Sequence, residues 1–312
     1  LGAALEGVIP LPDMIVVASH PCDSNLATYP VIAQRFGFPY YCIDAPYFRD
    51  ERGLRHVTDE LRVLVAFLEE TTGRTMEYPR LREVMERSNR AHGAILRISQ
   101  LAQNVPSPFS SIDMLTDYAA VLALAGTEEL AEYMEAKYEA VKRRVENGIL
   151  NKNERLRLVW IYGAPVFDFR FFFHLERRYG AYSVGNMNNN FIMGPVEDLS
   201  STESILRGLA LKTINLPMGR ECGGPWENYI GAMIDLCRRF RADAAIFAGH
   251  IACKANSPIM KLVKDRIADE LGIPTFIFQL DLMDPRITPM ETIEAQFHDF
   301  ISIHFPEVVD QT

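Results

Sequence analysis

Two stretches far apart in this chain spell nearly the same pattern, which restricts the fold to one that uses a single supersecondary unit twice. The first runs IVVASHPCDSN, an amphipathic segment, then GFPYYCID, residues 15–44; the second runs AIFAGHIACKAN, a similar segment, then GIPTFIFQLD, residues 245–281. Short β-branched runs bounded by turn residues flank a longer amphipathic stretch, so each copy reads as strand, loop, helix, Gly-apolar-Pro turn, strand. His20 precedes Cys22, His250 precedes Cys253, and Asn25 and Asn256 each follow their Cys by three. Any two β-α-β units share a period. The period does not account for the repeated His, Cys and Asn, so chemistry is expected in the two cysteine loops.

The position suits a reactive or metal-binding thiolate. Loops leaving the carboxyl ends of parallel strands line the ligand crevice of an open α/β sheet, and a Cys opening the next helix has its negative form favoured by the helix dipole. Cys22 and Cys253 are therefore expected at helix amino termini facing one cleft. The bland alternative is that both are small residues filling a turn. Their polar neighbours, His20, Asp23 and Ser24 in one loop and His250, Lys254 and Asn256 in the other, make a poor apolar nest.

Composition narrows the class. The 312 residues are 48% hydrophobic and 23% charged, an ordinary globular balance with room for two domains. A net charge of −9 argues against a nucleic-acid surface, which needs a basic face. No apolar run reaches the length of about 18 residues that a membrane span needs. Five cysteines without disulfide-like spacing suggest a reducing, cytoplasmic compartment. The amino terminus, LGAALEGVIPLPD, has neither an initiator Met nor a signal pattern, so a segment upstream is expected. CxxC, HExxH, GxxxxGK[ST] and GxGxxG are all absent.

Along the chain, residues 1–50 hold the first α/β part, incomplete by itself, and 51–150 turn helical. Val57, Leu61, Leu64, Val65 and Leu68 recur at helical spacing, then Leu81, Val84, Met85, Ile95, Ile98 and Leu101; the Pro-Ser-Pro at 106–108 interrupts before the pattern resumes over Asp113 to Val145. From 151 to 312 a second α/β part follows. It reads as strand Leu156–Tyr162, helix Phe169–Tyr179, strand Ala181–Val184, helices Ser201–Leu211 and Trp226–Phe240, strand Ala244–Ala248, helix Ser257–Leu271, strand Thr275–Leu280 and a last helix from Met290. Such alternation implies parallel sheets wrapped by helices.

Other residues carry weaker expectations. Cys222, in the loop PMGRECGGP, is a ligand or pocket-lining residue or simply part of a turn; Cys42 and Cys237 read as core. Ser19, His20 and His250 are candidate proton donors, or donors to a bound carbonyl, though a loop His can equally fix its own turn. Asn188, Asn189 and Asn190 read as turn chemistry. Arg49, Arg52 and Arg55 read as a solvated helix start, and Phe167, Phe169, Phe171, Phe172 and Phe173 as core packing.

The strings GVIPLPDMIVVASHPCDSN, GFPYYCIDAPY, WIYGAPVFDF, RADAAIFAGHIACKAN and GIPTFIFQLDLMDPR together resemble the cluster-bearing component of 2-hydroxyacyl-CoA dehydratases and the related benzoyl-CoA reductase subunits. The likeness extends over essentially the whole chain and is most specific at the cysteine loops. It implies two flavodoxin-like parallel-sheet domains and a 4Fe-4S cluster held usually by three Cys. Cys22 and Cys253 match two of those ligands; the family's first Cys lies in an amino-terminal region expected upstream of this sequence, so either the chain is truncated or another residue, with Cys222 the candidate, substitutes. The resemblance further implies a heterodimer with a homologous second subunit, and an ATP-dependent iron-sulfur activator. The implied reaction is loss of water from an (R)-2-hydroxyacyl-CoA by way of a ketyl radical. Within the family the alternative is an ATP-dependent reductase of aromatic acyl-CoA or a double-cluster reductase; outside it, a non-catalytic electron-relay subunit or an α/β binding protein without metal.

Overall fold

The computed structural model describes residues 2–20, 22–187, 194–216, 219 and 223–309. Its backbone is mixed α/β with two sheets, one of two strands and one of four, and every strand pair in both is parallel. The chain divides into two compact units: Leu1–Glu86 with Val196–Pro225 and Cys253–Ala255, and Arg87–Pro195 with Trp226–Ala252 and Asn256–Thr312.

In the first unit, after a short helix α1 (Gly2–Leu5), strand β1 (Ile15–Ala18) pairs with β2 (Tyr40–Ile43) from Ile15 opposite Tyr40 to Ala18 opposite Ile43. The crossover is α2 (Asp23–Phe36), closed by Gly37 in the left-handed region at φ 77°, a conformation glycine adopts without penalty. Ile15 packs with Ile32 and Ala33, helped by Val17, Phe36, Phe38 and Tyr40. Helix α3 (Glu51–Thr72) starts at Asp50, whose carboxylate accepts from the amides of Arg52 and Gly53. Those bonds hold the Asp50 carboxyl below the usual carboxylate range, the Gly53 amide first.

A much later segment completes this unit. Within the helix running Thr202–Ile214 in the same unit, Ala210 and Ile214 pack on Leu54 and Val57 of α3. Arg207 pairs with Glu51 at 3.1 Å, and the Arg62 guanidinium grips both carboxylate oxygens of Glu203. The first turns of α4 (Tyr78–Leu101) supply Met85 and Leu81 to a cluster with Val196 and Ile205, and Tyr78 donates to the Leu199 carbonyl at 2.8 Å.

The second unit holds α5 (Asp113–Leu124), α6 (Glu128–Glu146), β3 (Leu156–Tyr162), α7 (Arg170–Tyr179) and β4 (Ala181–Asn186). With the helix Thr202–Ile214 counted as α8, the order continues through α9 (Trp226–Arg239), β5 (Ala244–His250), a 3₁₀ turn (Ser257–Ile259), α10 (Met260–Leu271), β6 (Thr275–Leu280), α11 (Met290–His304) and α12 (Pro306–Val309). The strand order is β4-β3-β5-β6.

One face of that sheet presents Leu158, Trp160, Ile246 and Phe278 to Phe171, Phe172 and Tyr179 of α7 and to Ile293 and Phe297 of α11. Side chains alternate along a strand, so Phe247 turns to the other face, where its ring stacks on Tyr229 of α9. All seven residues of β3 are buried, as a central parallel strand covered on both faces requires. The Phe run is mixed: Phe171 and Phe172 are core, whereas Phe169 and Phe173 stand exposed.

The strands predicted at 181–184 and 244–248 extend to Asn186 and His250, and the helix predicted from Ser257 is a 3₁₀ turn followed by α10. Among the described residues no helix is long and apolar enough to cross a membrane.

Candidate functional site

The carboxyl ends of β1 and β2 are tied together before either strand enters its loop. Ser19 donates its amide to the Ile43 carbonyl at 2.9 Å, continuing the ladder by one rung. Its hydroxyl donates to Asp44 Oδ1 at 3.1 Å and accepts from the Ala45 amide at 2.8 Å. Asp44 Oδ2 lies 3.0 Å from His56 Nε2 on α3. The Asp44 amide donates to Glu60 Oε2 at 2.9 Å, an oxygen that also accepts from the Tyr41 hydroxyl at 3.0 Å. Burial first, and the Glu60 carboxylate second, push the Tyr41 phenol up to about 12, so it stays a donor. Ser19 is thus occupied in joining the strand ends, and an imidazole is oriented by a carboxylate beside it.

Past this network the chain presents His20, exposed, and then Cys22, which is the N-cap of α2 with φ −101° and ψ 101°. The Cys22 carbonyl accepts from the Asn25 amide at 3.0 Å. This places the half-exposed sulfur at the positive end of a four-turn helix, as the sequence predicts.

Cys253 departs from expectation. It lies beyond the carboxyl end of β5 but in a turn ahead of the 3₁₀ segment, whose N-cap is Asn256, so Cys253 does not itself open a helix. Hydrogen bonds and burial fix the turn: Ser257 Oγ donates to the His250 carbonyl at 3.1 Å, the Ile251 amide donates to the Leu280 carbonyl at 3.0 Å, and Asn256 is wholly buried. His250 brings Nδ1 to 3.4 Å from that same Leu280 carbonyl. Although the residues on either side group with the second unit, Cys253–Ala255 groups with the first, the unit that contains Cys22.

Arg49 corrects the reading of a solvated helix start. Its guanidinium is half-buried and donates to the carbonyls of Ile214 at 2.7 Å, Pro46 at 3.1 Å, Tyr47 at 2.8 Å, and Gly219. Arg52 and Arg55 are exposed as expected. The strap holds Gly219, and Gly223 lies close to the β1 loop: a Cβ added to Gly223 would stand 3.3 Å from the His20 Cβ and 3.3 Å from an Arg49 nitrogen. Cys222 itself, and Asn188, Asn189 and Asn190, lie outside the described residues.

Thiolates are soft donors of the kind iron-sulfur clusters take, and Cys22 and Cys253 both group with the first compact unit. Among the described residues no three of His, Cys, Asp and Glu gather closely enough to hold a metal ion. Cys42 is half-buried in β2, with Sγ 3.9 Å from the Ile43 carbonyl. Cys237 is buried in α9, and burial pushes its thiol up to about 12, an inert setting. The residues that sequence reasoning missed are Asp44, His56, Glu60 and Arg49. Asp44 ends the string GFPYYCID, immediately after a strand, which is the signal the sequence offers.

The family model of the 2-hydroxyglutaryl-CoA dehydratase D-component matches residues 1–303. The chain is 22% identical to the alpha subunit of (R)-2-hydroxyglutaryl-CoA dehydratase of Acidaminococcus fermentans, over 89% of this chain and 57% of that protein. It is 22% identical to the (R)-phenyllactyl-CoA dehydratase alpha subunit of Clostridium sporogenes, over 92% and 69%. To a benzoyl-CoA reductase subunit of Thauera aromatica it is likewise 22% identical, over 97% and 72%. The chain thus spans little more than half the length of the first of these relatives.

Proposed function

The chain belongs to the 2-hydroxyglutaryl-CoA dehydratase D-component family, and from that premise we propose that it is the 4Fe-4S-bearing subunit of a 2-hydroxyacyl-CoA dehydratase. The observation that carries the reading is that Cys22 caps α2 at the carboxyl end of β1 while Cys253–Ala255 leaves the grouping of its flanking residues and joins that of Cys22. When bound, the cluster would supply one-electron chemistry and an iron acting as Lewis acid toward a substrate oxygen.

The chain's own residues do the holding. Cys22 and Cys253 are the thiolate ligands, with Cys222 as the third. The Ser19, Asp44 and Ala45 bonds fix the strand ends from which the Cys22 loop departs. Arg49 ties the end of α8 and Gly219 to the same unit through the Ile214 and Gly219 carbonyls. His20, exposed two residues ahead of Cys22, is the proposed donor to a bound thioester carbonyl, and His56, oriented by Asp44, is a second candidate for proton transfer.

The relatives are each named as one subunit of an enzyme, which supports a partner subunit for this chain as well. The chain lacks a phosphate-binding loop of the GxxxxGK[ST] type, so ATP-linked electron delivery is assigned to a separate activator protein. Reduction of an aromatic acyl-CoA is the second reading, favoured by the match to the Thauera aromatica reductase subunit over 97% of this chain.

The test is anaerobic purification followed by iron and acid-labile sulfide analysis. About four of each per chain is expected, falling by more than half in Cys22→Ser and Cys253→Ser and unchanged in Cys42→Ser. A colourless wild-type protein devoid of iron sinks the proposal. With partner subunit, activator, Mg-ATP and reductant present, enoyl-CoA formation from a 2-hydroxyacyl-CoA selects the dehydratase, and ring reduction of an aromatic acyl-CoA selects the reductase.

A further inference from the structure

At the amino-terminal edge of the four-stranded sheet, away from the strand end that leads into the Cys253 loop, lies a polar groove of about 720 Å³ lined by Arg155, Arg177, Arg178, Asn153, Tyr182 and Glu176. That volume lies within the range of small-molecule sites, roughly 300–1,000 Å³. The chain carries a net charge of −9, and Arg62, Arg90, Arg157 and Arg286, among others, sit against carboxylates. Arg155, Arg177 and Arg178 have no carboxylate within ion-pair distance among the described residues. Glu176, the carboxylate in the lining, accepts instead from the Ser111 amide.

The groove is stiffly built. Gly180, in its floor, has φ 59°, and a Cβ there would collide with the Asn153 carbonyl oxygen and meet the Arg155 side chain at 3.0 Å. The amides of Arg155 and Leu156 both donate to the Gly180 carbonyl, at 2.8 and 3.1 Å, which fixes the base of the Arg155 side chain. The Arg178 guanidinium rests over the Tyr179 ring at 5.3 Å. Tyr182 is held above the usual phenol range by burial first and then by Glu176 and Glu154, so it faces the groove as a donor. The negative end of α7 is blunted because the Gly180 amide caps the Glu176 and Leu175 carbonyls.

Arg177 and Arg178 also line a second groove of about 530 Å³, whose other walls include His174 and the exposed ring of Phe173. Planar guanidinium groups match phosphate oxygens two at a time, and an exposed aromatic face beside them can stack a base. We propose that this double groove binds a nucleoside diphosphate moiety, its phosphates on Arg155, Arg177 and Arg178 and its base against Phe173.

That moiety occurs in free adenine nucleotides and in the coenzyme A end of an acyl thioester, and titration calorimetry on the full chain separates them. ADP, CoA and inorganic pyrophosphate are titrated in turn at low salt and again at moderate salt. ADP is expected to bind with Kd below about 1 mM, more weakly at moderate salt. The double variant Arg177→Gln, Arg178→Gln should weaken it by about tenfold or more with an unchanged melting midpoint. Phe173→Ala should weaken ADP but leave pyrophosphate unaffected. Binding of ADP without CoA assigns the groove to free nucleotide, and tighter binding of CoA assigns it to the thioester; both support the site. No binding of ADP or CoA, or a double variant and a separate Arg155→Gln, Tyr182→Phe variant that both bind as wild type does, overturns it. Because iron plays no part in these measurements, their failure leaves the cluster proposal standing, and the reverse is also true.

Discussion

The two sheets begin from nearly the same written pattern and end in different physical states. In the four-stranded sheet β3 is buried along its whole length and β5 along all but its last residue, with aromatic side chains filling one face from both α7 and α11. In the two-stranded sheet only Ile15 is buried and no residue of β2 is; Val16 stands exposed, as do Leu26 and Tyr29 of the crossover helix α2. Parallel strands are stable when both faces are covered and when a sheet has three or more members. The difference therefore lies in the number of neighbouring strands and not in the β-α-β unit itself. Cohesion is concentrated in the second unit, and the described cysteine candidates group with the first.

The sharpest way to break this contrast is the buried ion pair of the second unit. Arg157 Nη1 meets Glu154 Oε1 at 2.6 Å with both side chains almost wholly enclosed, and Glu154 also accepts from the Ser107 amide at 2.6 Å. Glu154→Gln leaves a guanidinium buried without its counter-charge, and a loss of about 3–5 kcal/mol is expected in urea titration. A loss under about 1 kcal/mol would mean that the unit is looser than its burial implies.

Core truncation comes next. Phe297→Ala removes a ring wedged among Phe171, Tyr179 and Phe276 and should cost about 3–5 kcal/mol. Ile32→Ala in the small cluster should fall at or below the lower end of the usual range, about 2 kcal/mol. Both tryptophans, Trp160 and Trp226, belong to the second unit. Their emission should follow the Phe297 change and ignore the Ile32 change; equal shifts of one shared transition would erase the distinction.

Two glycines in the same role sharpen it further. Gly180 and Gly37 each end a crossover helix in the left-handed region, but a Cβ at Gly180 collides with backbone whereas at Gly37 nothing lies within 4 Å. Gly180→Ala should cost about 2–3 kcal/mol and Gly37→Ala about 1 kcal/mol, read from melting midpoints.

The smallest effect concerns Lys212 of α8, whose amine is lowered to about 8 by burial alone. The unfolded chain holds that proton up to its ordinary pKa of 10.5, so between about pH 8 and 10.5 the unfolded state binds more protons and stability rises with pH. Below pH 8 the penalty is complete. Lys212→Met should therefore raise the urea midpoint of the first unit at pH 7, and the gain should vanish above about pH 10.5. A variant that is stabilised equally at both pH values would show that burial of this amine is not the cause.

Periodicity suffices to place the strands and most helices because local pattern dictates them: Val57 to Leu68 falls within α3, and Thr275–Leu280 is β6 as read. The Cys22 cap is legible for the same reason, since a turn residue followed by an amphipathic run is a local signal. What escapes is set by distant groups. Nothing around Arg49 announces acceptors at Ile214 and Gly219, and a charged residue two places before a helix reads as solvated until those carbonyls arrive. His56 reads as one more residue on the polar side of α3, because its partner Asp44 lies across a turn. Analogy with Cys22 puts Cys253 at a helix start, whereas Pro258 and the 3₁₀ turn postpone the helix to Met260.

The Arg49 strap also sets a schedule for biosynthesis. Its guanidinium and the Gly219 carbonyl are 170 residues apart in sequence, and α3 likewise waits for Ala210 and Ile214 to cover Leu54 and Val57. At a translation rate of roughly 5–20 residues per second, β1, β2 and α3 leave the ribosome on the order of ten seconds or more before the segment that completes their core. During that interval the apolar side of α3 is bare to solvent, and the nascent chain carries an unprotected surface well ahead of the residues that cover it. Slower translation across residues 73–200 lengthens the exposure, so the yield of folded protein should respond to codon usage and chaperone supply more than its native contacts alone would suggest.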